Sequence, residues 1–242
     1  MAGKADRLSG PDFHLEEQAL GDPGEDLFAA ALPKMVIGID EAGRGPWAGP
    51  VTAAAAWINP ESAGDLPAGL NDSKTLSAKK RAALWRGLQE LAENPAMFRV
   101  HVSSVDAATI DQMGILPATF RAMETALSGL GFMEKNLHVL VDGSLAPPFP
   151  VVRSAQSLTV QPVVKGDSRS LSIAAASIAA KETRDAIMRE LDQSWPQYGW
   201  RKNMGYGTLP HAETLASQGP CLHHRLTFRP VARAAARHGY TR

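Results

Sequence analysis

The sequence predicts an α/β protein in which helices pack against a single sheet. Short apolar runs typical of strands alternate with longer segments whose apolar residues recur at helical spacing. The clearest strands are the neighbouring runs at residues 36–39 and 51–58, and the clearest helix spans residues 170–195. Five alanines in the first turns of that helix would let it lie close to a sheet. The first three strands are expected to form an antiparallel meander.

The remaining elements follow from local patterns. Residues 59–70 are rich in Pro, Gly, Asp and Ser and predict a loop, and Ser77 is placed to cap a helix that runs to about residue 93. Further strands are predicted at 98–103, 137–141 and 158–164, and further helices near 105–112, 117–129, 211–218 and from Pro230 onward. Residues 196–210 are predicted to be loop-like.

Composition divides the chain into three parts. Residues 1–32 are expected to be a polar leader without fixed structure, because they hold seven acidic and two basic residues and show little periodicity. Residues 33–195 are expected to form the folded core, and residues 196–242 a loop-and-helix region packed on it. Residues 201–242 carry seven basic residues and one acid, so a basic face is compatible with the net charge of zero.

Other features restrict the function classes. No apolar run approaches the roughly 20 residues that span a bilayer, so no membrane association is expected. The N-terminus lacks the hydrophobic core of a secretory signal. The single cysteine, Cys221, excludes an internal disulfide and a multi-cysteine zinc site. A reducing cytoplasm is the expected location.

Acidic side chains follow three of the predicted strands. Asp40 and Glu41 end the first, Asp142 ends the strand at 137–141, and Asp167 follows the strand at 158–164. Four carboxylates at close range repel unless cations lie among them. Oxygen ligands without a Cys or His cluster favour Mg²⁺ or Mn²⁺. Such a site suits two-metal phosphodiester hydrolysis, with ions roughly 3.5–4 Å apart.

Each of these acids also has an ordinary structural interpretation. Asp-Glu, Asp-Gly and Gly-Asp pairs are common at turns, and only their joint occurrence is informative. Because strand side chains alternate between faces, Asp40 and Glu41 cannot point the same way in an ideal strand. We expect a bend at residues 42–43 that lets Glu41 reach round the strand end.

The chain closely resembles ribonuclease HII over residues 35–232. The resemblance is carried by IGIDEAGRGPWAGPV, LNDSKTLS, LVDG, VKGDSRSLSIAAASIAAKETRD, MGYGTLPH and HRLTFRPV, in that order. It implies a ribonuclease-H-like fold: a five-stranded mixed sheet flanked by helices, with a helical C-terminal extension. Residues 33–195 would then be the catalytic core, and residues 196–242 would bind the substrate. It also implies that Asp40, Glu41, Asp142 and Asp167 are the catalytic, metal-binding acids.

The resemblance also implies substrate-binding residues. Gly43, Arg44 and Gly45 match a loop that contacts the ribose 2′-hydroxyl and flanking phosphates. Tyr206 matches a tyrosine that stacks on the deoxyribose after the ribonucleotide, and Lys74 a lysine that contacts phosphate. Without the resemblance, the glycines would be a tight turn, the tyrosine a packing residue and the lysine a solvated side chain.

The implied activity is endonucleolytic. It would cleave the RNA strand of RNA–DNA hybrids and nick duplex DNA 5′ to embedded ribonucleotides, leaving 3′-hydroxyl and 5′-phosphate ends. Two Mg²⁺ or Mn²⁺ ions would take part, and no protein partner is expected to be required. The alternatives are a catalytically silent nucleic-acid-binding module and another polynucleotidyl nuclease of the same fold.

Overall fold

One mixed sheet organises the computed structural model of the chain, which describes residues 10–21, 34–132, 136–150 and 157–242. Within those ranges the strands are β1 (Lys34–Ala42), β2 (Val51–Ile58), β3 (Phe98–Val105), β4 (Asn136–Asp142) and β5 (Ser157–Val163). The sheet order is β3-β2-β1-β4-β5. β1, β2 and β3 pair antiparallel, as predicted, and β4 and β5 continue the sheet parallel to β1.

Helices pack on both faces of the sheet, and further helices form the C-terminal part. In the described ranges they are α1 (His14–Leu20), α2 (Ala78–Leu91), α3 (Ala107–Met113), α4 (Ile115–Ser128), α5 (Leu171–Ser194), α6 (Trp200–Asn203), α7 (Leu209–Gln218) and α8 (Arg229–His238). The predicted α/β class with a five-stranded mixed sheet is thereby confirmed. No helix in the described ranges has the length and apolar character needed to cross a membrane.

The alternation of side chains along β1 sorts the core into two layers. Ile37 and Ile39 pack in the cluster that α4 completes, while the α5 alanines form the second cluster with α2. Gly38 points toward α5, where a Cβ would lie 2.2 Å from the backbone carbon of Ser172. The glycine therefore lets α5 approach the sheet closely, two residues before Asp40.

Several element boundaries differ from those predicted. β3 extends to Val105, which was expected to begin a helix, and Asp106 caps α3 by accepting a hydrogen bond from the Thr109 amide at 2.7 Å. The predicted loop at 59–70 contains a short 3₁₀ helix, Pro60–Asp65. The predicted loop at 196–210 contains the 3₁₀ helix Pro196–Tyr198, α6 and the start of α7. Such short turns lack the periodicity on which the predictions depended.

Part of the expected leader is ordered. Residues 1–9 and 22–33, including the predicted start of the folded body at Pro33, lie outside the described residues. Residues 14–20 form α1, where Leu15 and Ala19 pack with Val36, Leu140 and Ile173. The expectation of a leader without fixed structure is therefore wrong for this helix, because a short apolar face docks it on the sheet.

The C-terminal residues pack on the core through aromatic side chains. Tyr198, Trp200 and Cys221 form a buried cluster with Ala48 and with Met188 of α5. Tyr198 and Trp200 stack with ring centroids 5.1 Å apart. This cluster attaches the segment that carries Tyr206 to the loop that follows β1. The division at residue 195 stays a prediction.

Candidate functional site

Three carboxylates converge at one edge of the sheet. Asp40 lies near the end of β1, Asp142 ends the neighbouring parallel strand β4, and Asp167 lies in the 3₁₀ turn Gly166–Ser168 after β5. Parallel strands deliver their carboxyl ends to the same edge, which is why residues so distant in sequence meet. One oxygen from each acid lies within 4.8 Å of the other two.

Glu41 lies beside this group rather than within it. β1 remains paired with β2 through Glu41 and Ala42, so the expected bend comes only at Gly43, whose φ is +91°. Glu41 therefore points to the face opposite Asp40. Its Oε1 accepts a hydrogen bond from Arg44 Nη1 at 3.3 Å. It stands as a fourth acid at the rim of the cluster.

Burial and mutual repulsion disfavour charge on the clustered acids. Burial, and then the charges of Glu41 and Asp142, raise the pKa of Asp40 well above its usual value. The Glu41 amide donates a hydrogen bond to Asp40 Oδ1 at 2.7 Å, and this bond and the nearby Ser177 hydroxyl oppose the shift. Burial followed by the Asp142 charge raises the pKa of Asp167 to about 6. A cation at this position would relieve all these penalties together.

Lys74 provides a positive charge at the edge of the cluster. Its Nζ lies 3.9 Å from Asp167 Oδ2, and its side chain is 70 % exposed. Burial lowers the pKa of Lys74, but Asp40, Asp72 and Asp167 outweigh it, so the net shift is upward. The ammonium group therefore stays charged and reaches solvent, as a phosphate contact requires.

The cluster fits a hard divalent cation. Its converging atoms are carboxylate oxygens, the ligands that Mg²⁺ and Mn²⁺ prefer. Asp40 Oδ2 is buried and has no hydrogen-bond partner among the described residues. A buried carboxylate oxygen without a partner, on an acid that converges with two others, is costly unless a cation binds it.

A cavity of about 250 Å³ opens beside the acids. Glu41, Gly43, Arg44, Gly45, Lys74 and Tyr206 line it, together with Ala42, Ser73, Lys181 and Arg184. All five residues predicted to bind substrate therefore share one surface next to the carboxylates. Arg44 and Tyr206 are about half exposed, at 49 % and 48 %. They present a guanidinium and an aromatic ring to any ligand in the cavity.

Two buried arginines hold the loop of Gly43–Gly45 from behind. Arg225 donates hydrogen bonds to the carbonyl oxygens of Gly43, Arg44 and Gly49 at 2.6, 2.9 and 3.0 Å. Arg184 packs against Gly43 so closely that a Cβ there would lie 1.9 Å from its Nε. The carbonyls of Gly43 and Arg44 are thus satisfied inside the protein, and this part of the loop is held in place.

Tyr206 is fixed against the same loop. Trp47 donates its amide to the Gly205 carbonyl at 2.8 Å, and a Cβ at Gly45 would lie 3.6 Å from the Tyr206 ring. The Tyr206 carbonyl bonds His211 Nδ1 at 2.9 Å. The loop after β1 and the loop after α6 therefore form one surface.

Several contributing residues carried no recognisable sequence signal. Ser177 lies close to Asp40 and donates its hydroxyl to Ser73 at 2.9 Å, and Gly166 donates its amide to Asp142 Oδ1 at 2.7 Å. Arg184 and Arg225 donate their hydrogen bonds to backbone carbonyls, so no acidic residue in the sequence indicates that they have a partner. The only signal for these residues in the sequence is that they lie within the motifs that carry the family resemblance.

Comparisons with known proteins agree with this geometry. The family model described as Ribonuclease HII matches residues 37–231. A ribonuclease HII of Jannaschia sp. is 43 % identical over 93 % of this chain and 98 % of the relative. That of Magnetococcus marinus is 46 % identical over 92 % and 94 %. The crystal structure of ribonuclease H2 from Pyrococcus horikoshii superposes with a TM-score of 0.67 at 26 % identity, covering 86 % of this chain and all of that one.

Proposed function

The chain belongs to the ribonuclease HII family, and from that premise we propose that it nicks duplex DNA on the 5′ side of an embedded ribonucleotide as well as cleaving the RNA strand of RNA–DNA hybrids. It is a ribonuclease H, a phosphodiester hydrolase that cuts internally. The products are a 3′-hydroxyl and a 5′-phosphate. The observation that carries the proposal is that Glu41, the Gly43–Gly45 loop, Lys74 and Tyr206 line one cavity, and that Lys74 lies 3.9 Å from Asp167 of the carboxylate cluster.

The carboxylates would hold the divalent metal on which ribonucleases H depend. Asp40, Asp142 and Asp167 would supply converging oxygens, and Glu41, which lies outside that group of three, would add a fourth carboxylate from the rim. Two Mg²⁺ or Mn²⁺ ions bound there would supply an activated water nucleophile and stabilise the leaving oxygen of an in-line displacement. The raised pKa values of Asp40, Glu41 and Asp167 are consistent with carboxylates that pair with cations.

The loop of Gly43, Arg44 and Gly45 reads the sugar. Its glycines let the backbone approach the minor groove, where a 2′-hydroxyl distinguishes RNA from DNA. Arg225 donates hydrogen bonds to the carbonyls of Gly43 and Arg44 on the inner side of the loop. Recognition of the sugar therefore uses the outer side of the loop. Arg44 reaches solvent and holds a flanking phosphate.

Tyr206 recognises the junction between ribonucleotide and deoxyribonucleotide. Its ring lies beside Gly45 and is half exposed, so it offers a flat face next to the sugar that the loop reads. Lys74, beside Asp167, contacts a phosphate near the scissile bond.

The C-terminal region, residues 196–242, completes the substrate-binding surface of the core. The enzyme acts in the cytoplasm on nucleic acid, and no protein partner is required.

The test is digestion of matched duplexes that contain zero, one or several ribonucleotides, in Mg²⁺ and in Mn²⁺. We expect cleavage 5′ to a lone ribonucleotide and none of the all-DNA duplex. Cleavage of the all-DNA duplex would identify another polynucleotidyl nuclease of this fold. Binding without turnover in both metals would identify a silent binding module.

A further inference from the structure

A buried carboxylate joins the N-terminal helix to the start of α5. Glu16 of α1 is only 1 % exposed. Its Oε1 accepts hydrogen bonds from the hydroxyl of Ser170 at 2.6 Å, and from the amide and hydroxyl of Ser172 at 2.9 and 2.6 Å. Its Oε2 is buried without a hydrogen-bond partner among the described residues. Burial of a carboxylate is costly, so docking through α1 apolar residues alone does not explain this position.

Glu16 and its neighbour Asp12 satisfy the free amides at the start of α5. The first three amides of a helix lack intrahelical partners. In α5 the amide of Leu171 donates to the Asp12 carbonyl at 3.1 Å, that of Ser172 to Glu16, and that of Ile173 to the Ser170 hydroxyl at 3.1 Å. A segment more than 150 positions earlier in the chain therefore supplies two of the three caps. The positive end of the helix dipole favours the Glu16 charge.

The segment that Glu16 fixes also carries Asp167 and contacts Asp142. Asp167 lies three residues before Ser170, whose amide donates to the Gly166 carbonyl at 2.8 Å. The Gly166 amide in turn donates to Asp142 Oδ1 at 2.7 Å. One short turn is thus tied to Glu16 at one end and to Asp142 at the other, with Asp167 between them.

We propose that Glu16 is a positioning residue for the metal site, since by capping α5 it fixes the turn that orients Asp167 and Asp142. This inference rests on the proposed function in that the site binds divalent cations for catalysis. Glu16 itself does not touch the cations or the substrate. Loss of its carboxylate lets the 166–170 turn shift, and the separation of the Asp142 and Asp167 oxygens is no longer set.

The test uses the full chain with Glu16→Ala and Glu16→Gln. Mn²⁺ affinity is measured by calorimetric titration, and kcat and KM are measured on a duplex with one ribonucleotide. Partners that orient metal ligands typically contribute about 10- to 100-fold to affinity or activity. We expect Glu16→Ala to lower Mn²⁺ affinity and kcat by about 10-fold or more, with an unchanged KM for the duplex. Glu16→Gln, which retains an acceptor oxygen, recovers part of the loss.

Two controls separate positioning from general stability. Glu17→Gln changes the exposed neighbour of Glu16 and leaves Mn²⁺ affinity unchanged. Leu88→Ala removes a fully buried side chain of α2 and lowers the melting temperature without changing Mn²⁺ affinity. Wild-type Mn²⁺ affinity in a folded Glu16→Ala variant overturns the proposal. If that variant does not fold, it is replaced by Glu16→Asp, whose shorter side chain withdraws the acceptor from Ser170 and Ser172, and wild-type affinity and kcat in that variant overturn the proposal.

The metal titration also separates this inference from the proposed function. A wild-type chain that binds Mn²⁺ but leaves the ribonucleotide duplex intact contradicts the proposed substrate. The effect of the Glu16 substitutions on Mn²⁺ affinity is still measured in that case, and it decides the positioning role.

Discussion

Arg225 donates a 2.6 Å hydrogen bond to the carbonyl of Gly43, a residue 182 positions earlier in the chain. Arg225 is fully buried, and its other nitrogens serve the carbonyls of Arg44 and Gly49. The loop proposed to read the ribose is therefore shaped from the interior by a residue that never contacts the substrate. Substitutions behind the loop should consequently affect cleavage as strongly as substitutions on its surface.

Replacement of Gly43 by alanine should disrupt the loop. The φ of +91° disfavours an L-residue, and the new Cβ would collide with the Arg184 side chain, whose Nε would lie 1.9 Å away. A displacement of about 1 Å in a catalytic site can cost about 100-fold in rate. We expect kcat/KM on a duplex with one ribonucleotide to fall by about that factor. Gly64→Ala, where a Cβ meets nothing within 4 Å, is the matched control, and equal activity of both variants would contradict the role of the loop.

Asp40→Asn should abolish cleavage without loss of the fold. Burial and neighbouring acids already raise the pKa of the Asp40 carboxyl, so its ionised form is unfavourable in the folded chain. The neutral amide of asparagine removes this cost, and the melting temperature without metal should therefore not fall. Loss of a metal-supporting carboxylate removes several kcal/mol of transition-state stabilisation, or about 1000-fold in rate. Undiminished activity would remove Asp40 from the metal site.

Mg²⁺ should stabilise the wild-type chain more than Asp40→Asn. Binding to the folded state at 100 times Kd contributes about 2.7 kcal/mol, or roughly 5–10 °C in melting temperature for a chain of this size. Thermal melts with and without Mg²⁺ measure the difference between the two proteins. Identical shifts in both would show that the cation binds elsewhere.

Tyr206→Ala should weaken cleavage at a lone ribonucleotide while leaving metal binding intact. The half-exposed ring lies beside Gly45 and is not among the clustered acids. Loss of an aromatic stack costs about 1–3 kcal/mol, which corresponds to about 5- to 150-fold in kcat/KM. Tyr206→Phe keeps the stack and tests the hydroxyl separately. A larger effect on Mn²⁺ affinity than on cleavage would contradict the proposed role.

Acid should destabilise the fold through His224. Cys221 donates its amide to His224 Nδ1 at 3.0 Å, and His224 Nε2 faces His211 Nε2 at 3.0 Å, an arrangement suited to neutral rings. Burial, and then His211, lower the pKa of His224 to about 3, with smaller effects of His223 and Arg242. Below about pH 6.5 the unfolded chain gains a proton that the folded chain does not, so stability falls as pH falls.

The contribution of His224 between pH 7.5 and 5 is at most about 2 kcal/mol, since one pKa unit corresponds to about 1.4 kcal/mol. His224→Asn keeps an acceptor for Cys221 but removes the titrating ring, so its melting temperature should fall less over this interval. The exposed His101, replaced by asparagine, is the control and should behave as wild type. Equal slopes for His224→Asn and wild type would exclude this ring as the source of the acid sensitivity.

Local patterns were enough to predict much of this protein. Periodicity, caps and turn residues over short windows predict the succession of strands along the chain and the long helix α5. They also place the acids at the ends of strands. The motifs identified the family, which the comparisons confirmed. These features depend on neighbours in the chain, so no knowledge of the tertiary structure was needed to recognise them.

The tertiary structure alone decided which of these residues meet. It placed Asp40, Asp142 and Asp167 together and left Glu41 on the opposite face, because β1 continues past Asp40 without a bend. It also buried Arg225 behind the loop after β1 and docked α1 on α5 through Glu16. The contacts of Arg225 and Glu16 join segments more than 150 residues apart, and those of Arg225 are with backbone carbonyls that every residue carries. No local pattern specifies them, because they are selected only by the packing of the complete sheet and its helices.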